Sequence, residues 1–209
     1  MTRDIGLVKV GGRLTPESVV AAYRRGLFPW YDEGMPVCWW SPDPRAIIEL
    51  NSFHVPRRLQ RILRQGKFHF TFDRAFAEVI RGCAANRPEG TWITADMMQV
   101  YTELHGRGIA HSVETWLGSR LVGGVYGLAL GGYFSGESMF HTTANASNAA
   151  LVALVEHLRR RGYVLFDIQI LNDHTARFGG REIPRQEFLR RLEKALELPV
   201  TFADGYCSD

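Results

Sequence analysis

Cysteine, lysine and long apolar runs are all scarce in this chain. Its three cysteines, Cys38, Cys83 and Cys207, are odd in number and far apart, which excludes a disulfide framework and reads as reduced thiols. No Cys-x-x-Cys or His-x-x-x-His pair occurs and the seven histidines are dispersed, so neither a metal nor a cofactor is expected. No apolar run approaches the roughly 18 residues that cross a bilayer. The opening MTRDIGLVKVGGR has no apolar core or small-residue cleavage site of a signal peptide. A cytoplasmic protein without a membrane partner is therefore expected. Repeats, low-complexity tracts and Gly/Ser linkers are missing too, and 209 residues suit one medium domain or a small lobe leaning on a larger one.

What is present is arginine and tryptophan. Of 25 basic residues, 22 are Arg, although the net charge is only +3, so their distribution says more than their number. No acid lies between Glu49 and Asp73, while Arg57, Arg58, Arg61, Arg64 and Lys67 all fall in that window. Guanidinium forks match phosphate oxygens in pairs and stack on flat rings. Four of the five tryptophans stand in three loop-like stretches, FPWY (28–31), WWSPDPR (39–45) and TWIT (91–94). Such rings serve a core, an interface or base stacking, the last worth roughly 1–3 kcal/mol per base.

Thr15-Pro16-Glu17 has the N-cap hydroxyl, first-turn proline and acid that open a helix, which stops at Gly26. The Pro- and aromatic-rich stretch that follows, LFPWYDEGMPVCWWSPDPR, reads as irregular and as the seam between a lobe of residues 1–44 and a domain of residues 45–209. Strands are predicted at 46–50 and 67–72, with helices at 56–65, 73–85 and 95–106. HSVETWL, a Gly118-Ser119 turn, RLVGGVYGLAL and GGYFSGESMF predict an antiparallel meander. A helix over 146–161, a central strand at 163–170 and two short helices complete an α+β pattern, the last helix opening at Pro184.

Polar residues collect where a core would not accept them. In DIQILNDH (167–174), Asp167 and Gln169 share one face of the predicted strand, and Asn172, Asp173 and His174 follow at once. Glu137 lies among glycines and bulky apolar residues in YFSGESMF (133–140). Ser138 is no hydrolase nucleophile, because Phe140 stands where the elbow needs its last glycine.

AYRRGLFPW (22–30), WWSPDPRA (39–46), EGTWIT (89–94), AHSVETW (110–116), LVGGVYGLALGGYFSGESMF (121–140) and DIQILNDHTARFGGREIPR (167–185) together resemble the leucyl/phenylalanyl-tRNA–protein transferases. The resemblance spans nearly the whole chain in the family's order and spacing. It implies a small N-terminal α/β lobe followed by an acyl-CoA N-acyltransferase (GNAT)-like domain. The implied reaction moves Leu or Phe from aminoacyl-tRNA to proteins beginning with Arg or Lys, which marks them for N-end rule degradation. It implies that Trp30 and Trp92 frame the tRNA's terminal adenosine, with Tyr23 and Tyr101 nearby. Val125, Phe134, Met139, Leu151, Leu154 and Phe166 would line the pocket for the donor side chain. Asp167 and Gln169 would be catalytic, Asp167 hydrogen-bonding the Gln169 amide. Glu137 and Asn172 would bind the acceptor, and Arg57, Arg58, Arg61 and Arg64 would hold tRNA phosphates. A monomer is expected.

Three other readings stand beside it. A CoA-dependent N-acetyltransferase needs [Arg/Gln]-x-x-Gly-x-[Gly/Ala] entering a helix; the nearest string, from Arg120 to Val125, ends in Val and continues as a strand. A non-catalytic RNA-binding module would explain the arginines and tryptophans but not the carboxylates and amides beside an apolar pocket. A transferase with acidic acceptors would need only a few changes in the acceptor site.

Overall fold

The fold is that of a computed structural model, which describes residues 6–85 and 91–203. Cys207 and the Glu89-Gly90 part of EGTWIT lie outside the described residues; Cys38 and Cys83 are in no disulfide. The chain opens with β1 (Leu7–Val10), α1 (Pro16–Tyr23), β2 (Phe28–Pro29) and β3 (Cys38–Trp40). The three strands make a small antiparallel sheet in the order β1-β3-β2, so the stretch expected to be irregular carries two short strands. α1 starts as its sequence predicts. Thr15 Oγ1 accepts from the Ser18 N–H at 3.2 Å, and Ser18 Oγ accepts from the Thr15 N–H at 2.9 Å, a reciprocal cap.

Next come β4 (Arg45–Ile48), a 3₁₀ turn at Leu50–Ser52, α2 (Arg57–Arg64), β5 (His69–Phe72), α3 (Phe76–Ala85) and α4 (Ala95–Gly106). The meander is β6 (Ala110–Leu117), β7 (Arg120–Leu130) and β8 (Tyr133–His141). α5 (Ala146–Arg161), β9 (Leu165–Gln169), α6 (Asp173–Ala176), β10 (Gly180–Ile183) and α7 (Arg185–Leu196) follow. Seven strands form one sheet in the order β10-β4-β9-β8-β7-β6-β5. Its neighbours are antiparallel except β8 with β9. This is the α+β class that the sequence implied. Two expectations needed correction. The last helix is twelve residues rather than short, and β10 was not anticipated, because GREI is an edge strand whose two charges hide its pattern.

The sheet separates two apolar clusters, and strand periodicity assigns residues to them. Ile47, Tyr126, Leu128, Tyr133 and Leu165 face α1, α3, α4 and α7, together with Tyr23, Phe76, Tyr101 and Phe188. Ile48, Val125, Ala129, Phe134 and Phe166 face α5 and Leu59 of α2. α5 is buried along most of its length and ends at Gly162, whose φ of +87° suits a left-handed cap. Trp39 and Val19, from the segment before β4, belong to the first cluster, so the small sheet shares its core with the large one.

β7 and β8 leave no room for side chains at Gly127, where a Cβ would meet the Ser135 carbonyl oxygen at 2.2 Å and the Phe134 ring at 2.5 Å. Gly106, in the last turn of α4, has open space around the same position. Gly127→Ala should therefore cost about 1–3 kcal/mol or more, whereas Gly106→Ala should be neutral or stabilising by less than about 1 kcal/mol. Urea denaturation of both variants checks the pair.

Candidate active site

β8 and β9 run side by side through only three residue pairs, Tyr133 with Leu165, Phe134 with Phe166 and Ser135 with Asp167. Beyond them each strand carries an extra residue against its other neighbour. On β8, Gly136 pairs with Gly127 and Ser138 with Tyr126, which leaves Glu137 unopposed. On β9, Asp167 pairs with Ile47 and Gln169 with Ala46, which leaves Ile168 unopposed. Bulges bend their strands and re-aim side chains. The two strands part here, and a notch opens between them.

Two cavities occupy the notch and share Glu137, Ile168, Gln169 and Asn172 as a common wall. One, of about 260 Å³, is flanked by Trp30 and Trp92, with Phe28 and Pro29. The other, of about 270 Å³, is lined by Val125, Met139, Leu151, Phe166 and Ile48, with His174 at its edge. A separate cavity of about 390 Å³ near Arg107 and Phe202 has none of these residues.

Gln169 has a φ of +57°, in the left-handed region, and is the middle residue of a three-residue turn closed by the Ile170 N–H on the Ile168 carbonyl at 2.7 Å. For a residue other than glycine this conformation costs about 1–3 kcal/mol and persists only where its surroundings impose it. Its amide Nε2 donates to Ser135 Oγ at 2.7 Å and, more weakly, to Glu137 Oε1 at 3.4 Å. With both N–H groups so directed, the amide oxygen is the group left to accept a hydrogen bond.

Asp167 reaches Gln169, but not as expected. It accepts the Gln169 backbone N–H at 2.9 Å rather than touching the side-chain amide, because the bulge turns that amide toward β8. The carboxylate is fully buried and takes three more hydrogen bonds. Arg45 Nε and Nη2 donate to its two oxygens at 2.8 and 2.7 Å, and the Tyr133 hydroxyl donates at 2.8 Å. Arg45, also fully buried, donates from Nη1 to the Gly26 carbonyl at 3.0 Å and lies over the rings of Phe28 and Phe188 at 4.9 and 4.5 Å. Burial alone would depress the guanidinium pKa; the charge of Asp167 more than reverses this and raises it.

Tyr23 and Tyr101 are buried behind Glu137 and line neither cavity; they meet the tryptophan-flanked space only through the Glu137 carboxylate. Tyr101 OH donates to Glu137 Oε2 at 3.3 Å, and Tyr23 OH therefore donates to Tyr101 OH at 2.7 Å. Burial first, then the charge of Glu137, raises both phenol pKa values well above normal and keeps them as neutral donors. Burial also pushes Glu137 up to about 7; the Tyr23, Ser135 and Tyr101 hydroxyls grouped around it oppose the rise, while the charge of Asp167 adds to it.

Of the expected pocket residues, Val125, Met139, Leu151 and Phe166 line the second cavity. Phe134 and Leu154 are packed behind it in the same cluster. Asn172 borders both cavities, but its side-chain oxygen caps α6, accepting the Thr175 N–H at 2.8 Å. Arg57, Arg58, Arg61 and Arg64 are exposed along α2, and among the described residues none is within 4.0 Å of a carboxylate. Sequence reasoning missed Arg45, Tyr133 and Ser135. The last two were findable, since Tyr133, Ser135 and Glu137 alternate along one strand. Arg45 was not, because its partner is 122 positions away.

The family model described as leucyl/phenylalanyl-tRNA protein transferase matches residues 47–193, and that of its N-terminal domain matches residues 12–43. The chain belongs to this family. Among relatives named leucyl/phenylalanyl-tRNA–protein transferase, that of Anaeromyxobacter dehalogenans is 52% identical over 198 residues, covering 93% of this chain and 85% of its own length. That of Magnetococcus marinus is 51% identical over 201 residues, covering 93% and 86%. Membership makes the chain an aminoacyltransferase that takes its donor from aminoacyl-tRNA and gives it to protein N-termini. Among solved structures, L-PGS from Bacillus licheniformis is similar at 14% identity and a TM-score of 0.46, covering 63% of this chain and 48% of that one. At that distance nothing about activity follows from it. No described helix is long and apolar enough to cross a membrane.

Glu137 gives the site a measurable stability signature. The folded state holds this proton more tightly than the unfolded chain, whose carboxyl titrates near 4.5. The contribution of Glu137 to stability therefore falls as pH rises from about 4.5 to about 7 and is level above. Glu137→Gln should stabilise the protein at pH 8 by something on the order of 2–3 kcal/mol, with the gain shrinking toward pH 5. A gain of equal size at both pH values, measured by urea denaturation, would exclude this account.

Proposed function

We propose that the chain transfers Leu or Phe from aminoacyl-tRNA to the α-amino group of proteins beginning with Arg or Lys, which marks them for N-end rule degradation. It acts in the cytoplasm as a monomer. In this reading residues 1–44 form the lobe that presents Trp30, and residues 45–209 form the domain that holds the chemistry. The observation that carries the reading is the shared wall of the two cavities. A space flanked by Trp30 and Trp92 and a pocket lined by apolar side chains meet at Glu137 and Gln169, as an adenosine esterified to an apolar amino acid requires.

The adenine stacks between Trp30 and Trp92, and the donor side chain enters the pocket of Val125, Met139, Leu151 and Phe166, backed by Phe134 and Leu154. This puts the ester at the shared wall. The acceptor amine attacks the ester carbonyl, a C–N bond forms, the bond to the ribose oxygen breaks, and the amine's proton ends on that oxygen. The ester is already activated, so the enzyme's part is alignment. Gln169 accepts a hydrogen bond from the amine through its side-chain oxygen. Asp167 assists by holding the Gln169 backbone, and Tyr23 and Tyr101 brace Glu137. Glu137 supplies the negative charge for the acceptor's Arg or Lys side chain, and Asn172 shapes the same wall by capping α6. Arg57, Arg58, Arg61 and Arg64 hold tRNA phosphates without reading sequence.

The deciding experiment supplies radiolabelled Leu-tRNA with peptides beginning with Arg, Lys, Asp or Ala. Label on the Arg and Lys peptides alone is expected. Label on the Asp peptide would keep the transferase and overturn the acceptor, and no label on any peptide would overturn the reading. Reversing the charge of Arg57 and Arg61 together should raise the tRNA KM and lower the salt slope of tRNA binding by about 2. An unchanged slope would remove α2 from the tRNA interface.

A further inference from the structure

Arg45 is fully buried, lines neither cavity, and sits at the centre of the contacts that fix the reaction strand. We propose that Arg45 is a positioning residue for the transfer. Through Asp167, it holds the Gln169 backbone in the left-handed turn that aims the Gln169 amide into the notch. This rests on the reading of Gln169 as the group that aligns the attacking amine.

The link is a chain of three hydrogen bonds in which each orients the next. Arg45 is clamped first, by the Gly26 carbonyl on Nη1 and by the Phe28 and Phe188 rings against its plane. Its Nε and Nη2 then take one Asp167 oxygen each, which prevents the carboxylate from rotating. The oxygen held by Nε, Oδ1, is the one that accepts the Gln169 N–H. Oδ2 is shared between Nη2 and the Tyr133 hydroxyl. Nothing else about the Gln169 residue type favours a positive φ, so the turn needs an outside hold, and this oxygen supplies it.

A plain structural ion pair would also be buried and bidentate. Here, however, the carboxylate's remaining capacity is spent on the backbone of the one strained residue of the notch. The side chain of that residue then meets Ser135 and Glu137. A lysine at position 45 would keep the positive charge but lose the planar fork, and with it the fixed direction of Oδ1.

The test is Arg45→Lys in the full chain, assayed with Leu-tRNA and an Arg-starting peptide at a temperature where circular dichroism shows it folded. A fall in kcat of about 10²-fold is expected, the scale of a misplacement near 1 Å, with KM for both substrates within about threefold of wild type. Asp167→Asn should fall comparably, and the double variant should fall little further, because the two residues act as a unit. A folded Arg45→Lys with kcat within about threefold of wild type overturns the proposal. So does a loss that follows the unfolded fraction and disappears on cooling. Where Arg45→Lys does not fold, Tyr133→Phe removes one donor from Asp167 and keeps the ring. It should lower kcat about fivefold at unchanged KM, and an unchanged kcat overturns the proposal. Amide hydrogen exchange separates this inference from the reading beneath it. Even if the wild-type chain transfers nothing, the Gln169 amide should exchange at least about tenfold faster in Arg45→Lys while Phe166 stays protected. Equal exchange at Gln169 would refute the positioning role on its own.

Discussion

The parallel ladder between β8 and β9 stops after the Ser135–Asp167 pair, and the position of that stop decides the rest of the site. Had the strands continued in register, Glu137 and Gln169 would have filled their places in a closed sheet. The bulges at Glu137 and Ile168 instead bend each strand toward its outer neighbour, so the sheet itself becomes the wall of a notch. Because these strands lie inside a seven-stranded sheet, with helices on both faces, the wall is stiffer than one built on loops. The notch also lies where the two apolar clusters meet, so a side chain from either face can reach it. Glu137 is braced by tyrosines on one face, while Phe166 and Leu151 come from the other.

Two carboxylates sit within this wall, and the structure treats them oppositely. Asp167 is surrounded by donors from Arg45, Tyr133 and the Gln169 backbone, so its charge is matched where it stands. A buried pair of this kind gives little net stability, since desolvation offsets attraction, but its geometry is rigid. Glu137 has hydroxyl and amide donors but no cation within 4.0 Å among the described residues. Burial without such a cation raises its pKa, which costs the folded state stability at neutral pH. A carboxylate left short of positive charge beside an open cavity is a stability defect, and such defects are retained at sites that meet a charged group from outside.

Local chemistry made much of the fold legible. Thr15 and Ser18 cap α1, Thr94 caps α4, Gly162 ends α5, and the alternation from 110 to 141 marks the meander; each signal lies within a few residues of its effect. β10 escaped because four residues with two charges carry no periodic signature. Within the site, the residue types of DIQ and GES stood out, but their contacts did not. Period-two reasoning placed Asp167 and Gln169 on one face, whereas the bulge and the positive φ at Gln169 turned its amide toward β8. A bulge is set by the partner strand, and the partner here, β4, lies some 120 positions earlier. The Arg45–Asp167 pair was hidden for the same reason, since proximity along the chain is no guide to it.

The two halves of the notch differ in how sharply they discriminate. An apolar pocket of Val125, Met139, Leu151 and Phe166 separates related side chains only weakly, because each methylene is worth about 1–3 kcal/mol. On the proposed reading, accommodating both Leu and Phe is what such a pocket does by default, and a nucleotide stacked on tryptophan would supply binding common to every donor. The acceptor side is different in kind. A cation placed near Glu137 relieves a carboxylate that burial has held up to about 7, so binding recovers stability that the free protein lacks. A neutral acceptor recovers none of it, and an acidic one adds repulsion to a site already short of positive charge. On the proposed reading, selectivity for the acceptor is therefore an electrostatic property of one half-buried carboxylate, while tolerance on the donor side follows from the apolar Val125, Met139, Leu151 and Phe166 that line its pocket.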